Sequence, residues 1–311
     1  MTSNLTSSSR DAVAVFVALN EKWHIDGILR LKNCFRKSIG MRNPSKQALY
    51  DKNIKALKDF VMKQVPKVIV ISPKSLVMQG LKIELNDLFT EIFDNLGNEM
   101  MKPFVMWGDN RVAEIASRSD SFLKFIDSKD PTVCEAVSLG RYVQDPLSET
   151  LNLWSHRPKE NQVLNMSLHA MQHLVPIREL HDHLESVVLE IVGGVGVNIN
   201  RCFKIGHRAS PLQFVSGLGP RKAGKLIQNL KTHIKDGFVG NREDLEGCGI
   251  LSTNTYMFSI GFLRFYKEDL TPNEALLNQD VNLLDLTRIH PDNYTMANKM
   301  VLECLQVEFK R

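Results

Sequence analysis

The chain has 311 residues, 43% hydrophobic and 24% charged, with a formal net charge of +4, the makeup of a globular protein long enough for two or three domains. Its five cysteines, Cys34, Cys134, Cys202, Cys248 and Cys304, form no CxxC pair and no Cys/His cluster, which points to a reducing compartment and against structural zinc. The start MTSNLTSSSR is polar, and the most apolar run, Val187 to Val197, is broken by Glu190 and glycines, so neither a signal peptide nor a membrane span is expected.

A β-branched and apolar run predicts a strand over Val13 to Leu19, and Ile28 to Leu31 predicts a second that pairs with it as a hairpin. Ile54, Leu57, Val61 and Val65 then share one face of a helix stopped by Pro66. The run Val68 to Ile71, closed by Pro73, reads as a buried parallel strand. Leu85, Leu88, Phe89, Ile92, Phe93 and Leu96 give the clearest helix, with Gly97 as its stop before a strand over Phe104 to Trp107. A helix over about Thr132 to Val143 completes an α/β unit with an open, partly parallel sheet. Beyond about Thr150 the strand signals disappear. The polar stretch Asn152 to Asn165 reads as a connection, and from Met166 to Phe265 the apolar spacing is helical, so a compact all-α unit is expected.

Charge is unevenly spread. Gly27 to Tyr50 holds Arg30, Lys32, Arg36, Lys37, Arg42 and Lys46 without an acid, and reads first as the solvated face of a loop. His207 to Lys235 holds Arg208, Arg221, Lys222, Lys225, Lys231 and Lys235, again without an acid, and encloses a motif. Pro211 to Lys231 reads as a short helix, a Gly-Leu-Gly turn and a second helix with Ala223, Ile227 and Leu230 on one face: a helix-hairpin-helix. Gly217 and Gly219 supply positive backbone angles and let a phosphate approach the main chain. Pro220 suits the first turn of the second helix, whose free N–H groups face that phosphate. Arg221, Lys222 and Lys225 add charge at the same end. The candidate nucleic-acid-binding residues are therefore Gly217, Gly219, Arg221, Lys222 and Lys225, in a mode that reads backbone and not sequence. The plainer alternative is a turn between packed helices; the acid-free surroundings favour phosphate. The second glycine cluster, Gly193, Gly194 and Gly196, lacks a preceding strand and reads as structural.

QFVSGLGPRKA (Gln213 to Ala223), AVSLGRYVQDPLSE (Ala136 to Glu149), GVGVNINR (Gly194 to Arg201), IGFLRF (Ile260 to Phe265) and LDLTRIHPDNYTMANKM (Leu284 to Met300) resemble, in order, the suppressor-of-Ty six transcription elongation factors. The bacterial Tex proteins share the QDPL and HPxxY elements, while GLGPRK and TRIHP match the eukaryotic branch better. The resemblance implies α/β plus all-α architecture: an RNase H-like (YqgF-type) domain over 1–150, a tandem helix-hairpin-helix domain over 151–270 and the start of a death-like helical domain over 271–311. It also implies a nuclear protein that binds DNA or RNA, RNA polymerase II elongation complexes and histones. Two departures are expected: a missing first sheet strand, because only a polar tail precedes Asp11, and a truncated chain that ends inside the death-like domain.

An RNase H-like fold raises the question of nuclease activity, which needs three or four carboxylates on two metal ions about 4 Å apart. With no first-strand acid, and with Lys74 where β-strand Val68 to Ile71 ends, only Asp109 and Asp145 remain, and Asp145 reads as the N-cap of a helix begun by Pro146. His169, His173, His181 and His183 lack an HExxH glutamate and read as solvated or capping. His290 reads as holding the turn into the helix of Tyr294. The sequence thus predicts no enzyme, no cofactor and no metal, with a protein-interaction scaffold as the alternative to nucleic-acid binding.

Overall fold

The structure, a computed structural model, describes residues 2–6, 13–20, 23–32, 44–74, 76–95, 102–119, 130–233, 239–247, 251–265 and 282–308. The chain divides into two compact units, Met1–Leu174 and Val175–Arg311.

The first unit is built on a five-stranded sheet in the order β3-β2-β1-β4-β5. Its strands are β1 (Thr2–Thr6), β2 (Val13–Leu19), β3 (Ile25–Lys32), β4 (Val68–Ile71) and β5 (Phe104–Trp107). β1, β2 and β3 run antiparallel in succession, while β4 lies parallel to β1 and β5 parallel to β4. Side chains alternate across a strand, so β2 buries Ala14 and Phe16 on one face and Val15 and Val17 on the other. The first face is covered by α1 (Pro44–Gln64) and α2 (Leu76–Asn95) through Leu57, Val61, Leu85 and Phe89. The second is covered by α3 (Arg111–Ala116) and α4 (Pro131–Gln144) through Ala113, Val133, Val137 and Leu139. Covering both faces is why β2 and β4 read as continuous apolar runs instead of alternating ones.

Two sequence expectations need correcting. The leading strand is present: β1 occupies the polar start, with Thr2 to Thr6 opposite Val17 to Val13 on one side and Thr2 and Ser3 opposite Val70 and Ile71 on the other. Main-chain hydrogen bonds on both edges stabilise it, and these leave no hydropathy signature in Thr-Ser-Asn-Leu-Thr. Nor is Asn152 to Asn165 a bare connection. After α5 (Pro146–Leu151), Leu153, Trp154, Val163, Leu164 and Met166 are buried, and a 3-10 turn at Gln162–Asn165 lies against α3. The first unit therefore runs past the predicted boundary at 150.

The second unit opens with α6 (Ile177–Val195), which stops where Gly196 turns to φ +74°. β6 (Val197–Asn198) pairs in parallel with β7 (Leu263–Arg264), a small sheet in a region expected to be compact and all-α. A side chain at Gly196 would lie 2.7 Å from the Arg264 guanidinium, so this glycine is structural as expected. Asn198 caps α7 (Ile199–Lys204) by accepting from the amides of Asn200 and Arg201. There follow a 3-10 helix (Gly206–Phe214), α8 (Gly219–His233), α9 (Glu243–Gly247), α10 (Thr253–Ser259) and α11 (Tyr294–Glu308). The core gathers Val192, Ile199, Leu212, Leu226, Leu230, Leu245, Ile260 and Leu263.

One polar node fastens residues 285–294 to this unit. Arg242 is 1% exposed. Its Nη1 donates to the Ile289 carbonyl and to Tyr294 Oη, and its Nη2 donates to the carbonyls of Thr287 (2.6 Å) and Leu263 (3.2 Å). Asp285, equally buried, accepts from the Arg242 amide and from the Tyr294 hydroxyl. Burial and the Asp285 carboxylate push the Tyr294 phenol well above its usual range. His290 caps the following turn and places Nε2 3.1 Å from the Met257 carbonyl, the turn-holding role expected of it. Residues 266–281, which include the expected start of the death-like segment at 271, lie outside the described residues.

Candidate nucleic-acid interface

The turn between the Gly206–Phe214 helix and α8 has the geometry the sequence demands. Leu218 donates its amide to the Val215 carbonyl at 3.0 Å, and the flanking glycines take φ +80° (Gly217) and +65° (Gly219). The first helix is 3-10 and not α, and it contains Pro211, which has no amide to donate. The two glycines differ in their reasons. A side chain at Gly217 would come within 3.0 Å of Phe258 Cβ, so the hairpin is pressed onto α10. Gly219 has nothing within 4 Å of that position; its backbone angle and the open space beside it are the requirement.

α8 sorts its residues cleanly. Ala223, Leu226 and Leu230 are buried, while Arg221, Lys222 and Lys225 are exposed along the opposite side near the N-terminal end. Leu226, more than the half-buried Ile227, anchors the helix. The first turn carries no acid, so unsatisfied amides, dipole and side chains share one sign. Lys222 is not simply a surface charge: its ammonium donates to the Gly217 carbonyl (3.1 Å) and to Thr255 Oγ1 (3.2 Å), tying the hairpin to α10. Arg208, counted in the same basic run, is 8% exposed and belongs to the core side of its helix. The outward charge is thus Arg221, Lys225 and Lys231, with Lys222 as a clasp. In the other basic run, Arg30 on β3 pairs with Asp130 at 3.3 Å, and Arg36, Lys37 and Arg42 lie outside the described residues.

The two carboxylates left as nuclease candidates in the first unit, Asp109 and Asp145, are both occupied. β1 offers none. Lys74, just after β4, sits 2.6 Å from buried Glu135 on α4. Asp109 forms a forked pair with Arg111, which holds its carboxyl below the usual range. Asp145 caps α5, accepting from the Ser148 amide and hydroxyl, as predicted. Beneath it Glu149, 1% exposed, accepts from Ser138 Oγ at 2.6 Å, and burial raises its carboxyl to about 7. Sequence reasoning missed that site because no spacing rule distinguishes a buried glutamate from a surface one.

The histidines behave as local caps: His169 accepts from the Met171 amide, and His173 faces the Ala170 carbonyl. His181 departs from the rest. It is buried on α6 with Nδ1 3.4 Å from Asp182 and 3.9 Å from Glu185, a grouping of ligand-capable atoms that also suits a histidine–carboxylate ion pair. Among the described residues no helix is long and apolar enough to cross a membrane.

Comparison with known proteins agrees with this geometry. The helix-hairpin-helix motif family matches residues 161–266. The chain is 29% identical over 303 residues to a Suppressor of Ty 6 homolog of Caenorhabditis briggsae, covering 97% of this chain and 19% of that protein. It is 31% identical over 270 residues to transcription elongation factor SPT6 of Debaryomyces hansenii, covering 83% and 17%. Drosophila melanogaster SPT6 is 26% identical over 96% of the chain and 16% of its own length. The chain thus spans about a fifth of the length of these curated relatives. Over most of its length it is a homologue of one stretch of the Suppressor of Ty 6 transcription elongation factors, and its second half carries a helix-hairpin-helix.

Proposed function

We propose that this chain is a non-catalytic, nucleic-acid-binding part of a nuclear transcription elongation factor. The observation that carries the reading is the hairpin at Gly217–Gly219, with positive backbone angles, an acid-free α8 N-terminus, and Arg221 and Lys225 facing outward. Such a site grips sugar-phosphate and reads no bases. The strand order β3-β2-β1-β4-β5, a meander followed by two parallel strands, supports an RNase H-like reading of the first unit. There the missing β1 acid, the Lys74–Glu135 pair and the capping role of Asp145 argue for a platform without chemistry. The relatives' names support a role in transcription elongation; RNA polymerase II elongation complexes and histones as partners follow from the family resemblance alone.

A second reading, a protein-docking scaffold, draws on exposed apolar side chains: Ile177, Val187, Ile191 and Val195 on α6, and Met296, Met300 and Leu305 on α11. The two readings part in a salt titration. If Arg221 and Lys225 each hold one phosphate, Arg221→Gln with Lys225→Gln should weaken binding and flatten the log–log salt slope by roughly two. An unchanged titration moves the site off the hairpin.

A further inference from the structure

Resting on the hairpin as the phosphate contact, we propose that Phe258 is a stacking platform for an unpaired base, which makes single-stranded nucleic acid the preferred substrate. In the second unit Phe214 and Phe265 are 2% exposed or less, whereas Phe258 is 66% exposed, beside the half-exposed Met257. Its place is tightly fixed. A side chain at Gly217 would lie 3.0 Å from Phe258 Cβ and 3.5 Å from the Thr255 carbonyl, so α10 and the hairpin are in direct contact. The Lys222 clasp fastens Thr255, one turn before the ring, to the Gly217 carbonyl, and the His290 contact with the Met257 carbonyl steadies the neighbouring residue. A flat apolar ring is thereby held, solvent-facing, beside the glycine turn, while the open space at Gly219 leaves room for a phosphate.

The chemistry discriminates by strandedness. In a duplex both faces of each base are covered by its neighbours, so an exposed ring finds nothing to stack on. A single strand offers a free face within one nucleotide of its phosphate. Every base has such a face, so stacking adds affinity without sequence readout, the same tolerance the hairpin has. Lys222 becomes a positioning residue here: it sets the spacing between hairpin and ring.

The test uses the full chain and fluorescence anisotropy, with a thymidine oligonucleotide of about twelve nucleotides and a duplex of equal length. The single strand should bind more tightly. Phe258→Ala should weaken it about fivefold or more while leaving the duplex unchanged, Phe258→Trp should retain it, and Phe258→Leu, apolar but without a flat face, should fall with alanine. Leucine binding like the parent, or alanine weakening both substrates equally, overturns the stacking assignment alone. Arg221→Gln with Lys225→Gln should weaken both substrates; if it weakens neither, the hairpin reading fails and stacking beside it fails too. Because the ring is exposed, thermal melts of the Phe258 variants should match the parent.

Discussion

Replacing Arg242 with methionine, of similar length but uncharged, tests whether the buried node holds residues 285–294 in place. The change takes the donor from three carbonyls, those of Leu263, Thr287 and Ile289, and from the Tyr294 hydroxyl. It also leaves the Asp285 charge, 2% exposed, with only a backbone amide and that hydroxyl as donors. Arg242 Nε lies 4.0 Å from Asp285 Oδ1; breaking one side of such a buried ion pair costs about 3–5 kcal/mol, and an orphaned buried acceptor about 1–3 kcal/mol. These terms do not add, because residues 285–294 can lift away and let water reach the carbonyls. A loss of about 4 kcal/mol is therefore expected, read as lowered hydrogen-exchange protection in α8 and a lower urea midpoint. Arg242→Lys should recover only part of it, since three donors on a point charge cannot reproduce the planar fork. Arg242→Met combined with Asp285→Asn should cost less than the sum of the two, by about 0.5–3 kcal/mol. Arg242→Met within about 1 kcal/mol of the parent, well below the cost of breaking a buried pair, would refute the node as a stabilising element.

Gly219→Val should melt below Gly224→Ala: valine at φ +65° costs about 1–3 kcal/mol, whereas alanine at helical, unobstructed Gly224 is neutral or gains up to about 1 kcal/mol, and the reverse ranking would misplace the hairpin. Burial raises Glu149 from 4.5 to about 7, so the folded chain holds a proton there that the unfolded chain releases. The contribution of Glu149 to stability should be fully present below pH 4.5 and be lost as pH rises to about 7, a loss of at most about 3 kcal/mol that then levels off. Glu149→Gln should flatten that slope in urea midpoints at pH 5 and 8, and a slope surviving the change assigns it to other groups. Magnesium or manganese should elicit no cleavage of branched DNA, RNA/DNA hybrid or single strands; activity that survives repurification yet vanishes in Asp109→Asn with Asp145→Asn would place the chain among nucleases.

What the sequence made legible follows from which forces leave a periodic trace. Val68–Ile71 was placed to the residue because a strand covered on both faces is a short, continuous apolar run; Phe104–Trp107 shows the same kind of run although it is an edge strand with Phe104 exposed. The caps were equally plain: Asp145 before Pro146 reads as a helix start from chemistry local to four residues. β1 was invisible for the opposite reason. Its stability comes from main-chain ladders to β2 and β4, formed by residues about ten and seventy positions away, and Thr-Ser-Asn-Leu-Thr shows none of that. The reach of the first unit to Leu174 was hidden in the same way, since Leu153-Trp154 and Val163-Leu164 are short apolar pairs in a polar stretch until the fold buries them, the second pair in a turn against α3.

The basic run from His207 to Lys235 shows where composition stops being a guide to a site. Six cations without an acid look equivalent in sequence, yet the structure gives separate tasks to those it describes, Lys235 lying outside the described residues. Arg208 is buried, Lys222 is bound to the hairpin it was expected to charge, and Arg221 and Lys225 face outward. Only a group whose donors remain in water can exchange them for a phosphate with little reorganisation. Lys222 would first have to release a carbonyl and a hydroxyl, loosening the contact that sets Phe258 beside the turn. Removing charge at Lys222 should accordingly alter the geometry of binding more than its salt dependence, and removing it at Arg221 or Lys225 the reverse. That opposition follows from two hydrogen bonds, to residues five and thirty-three positions away.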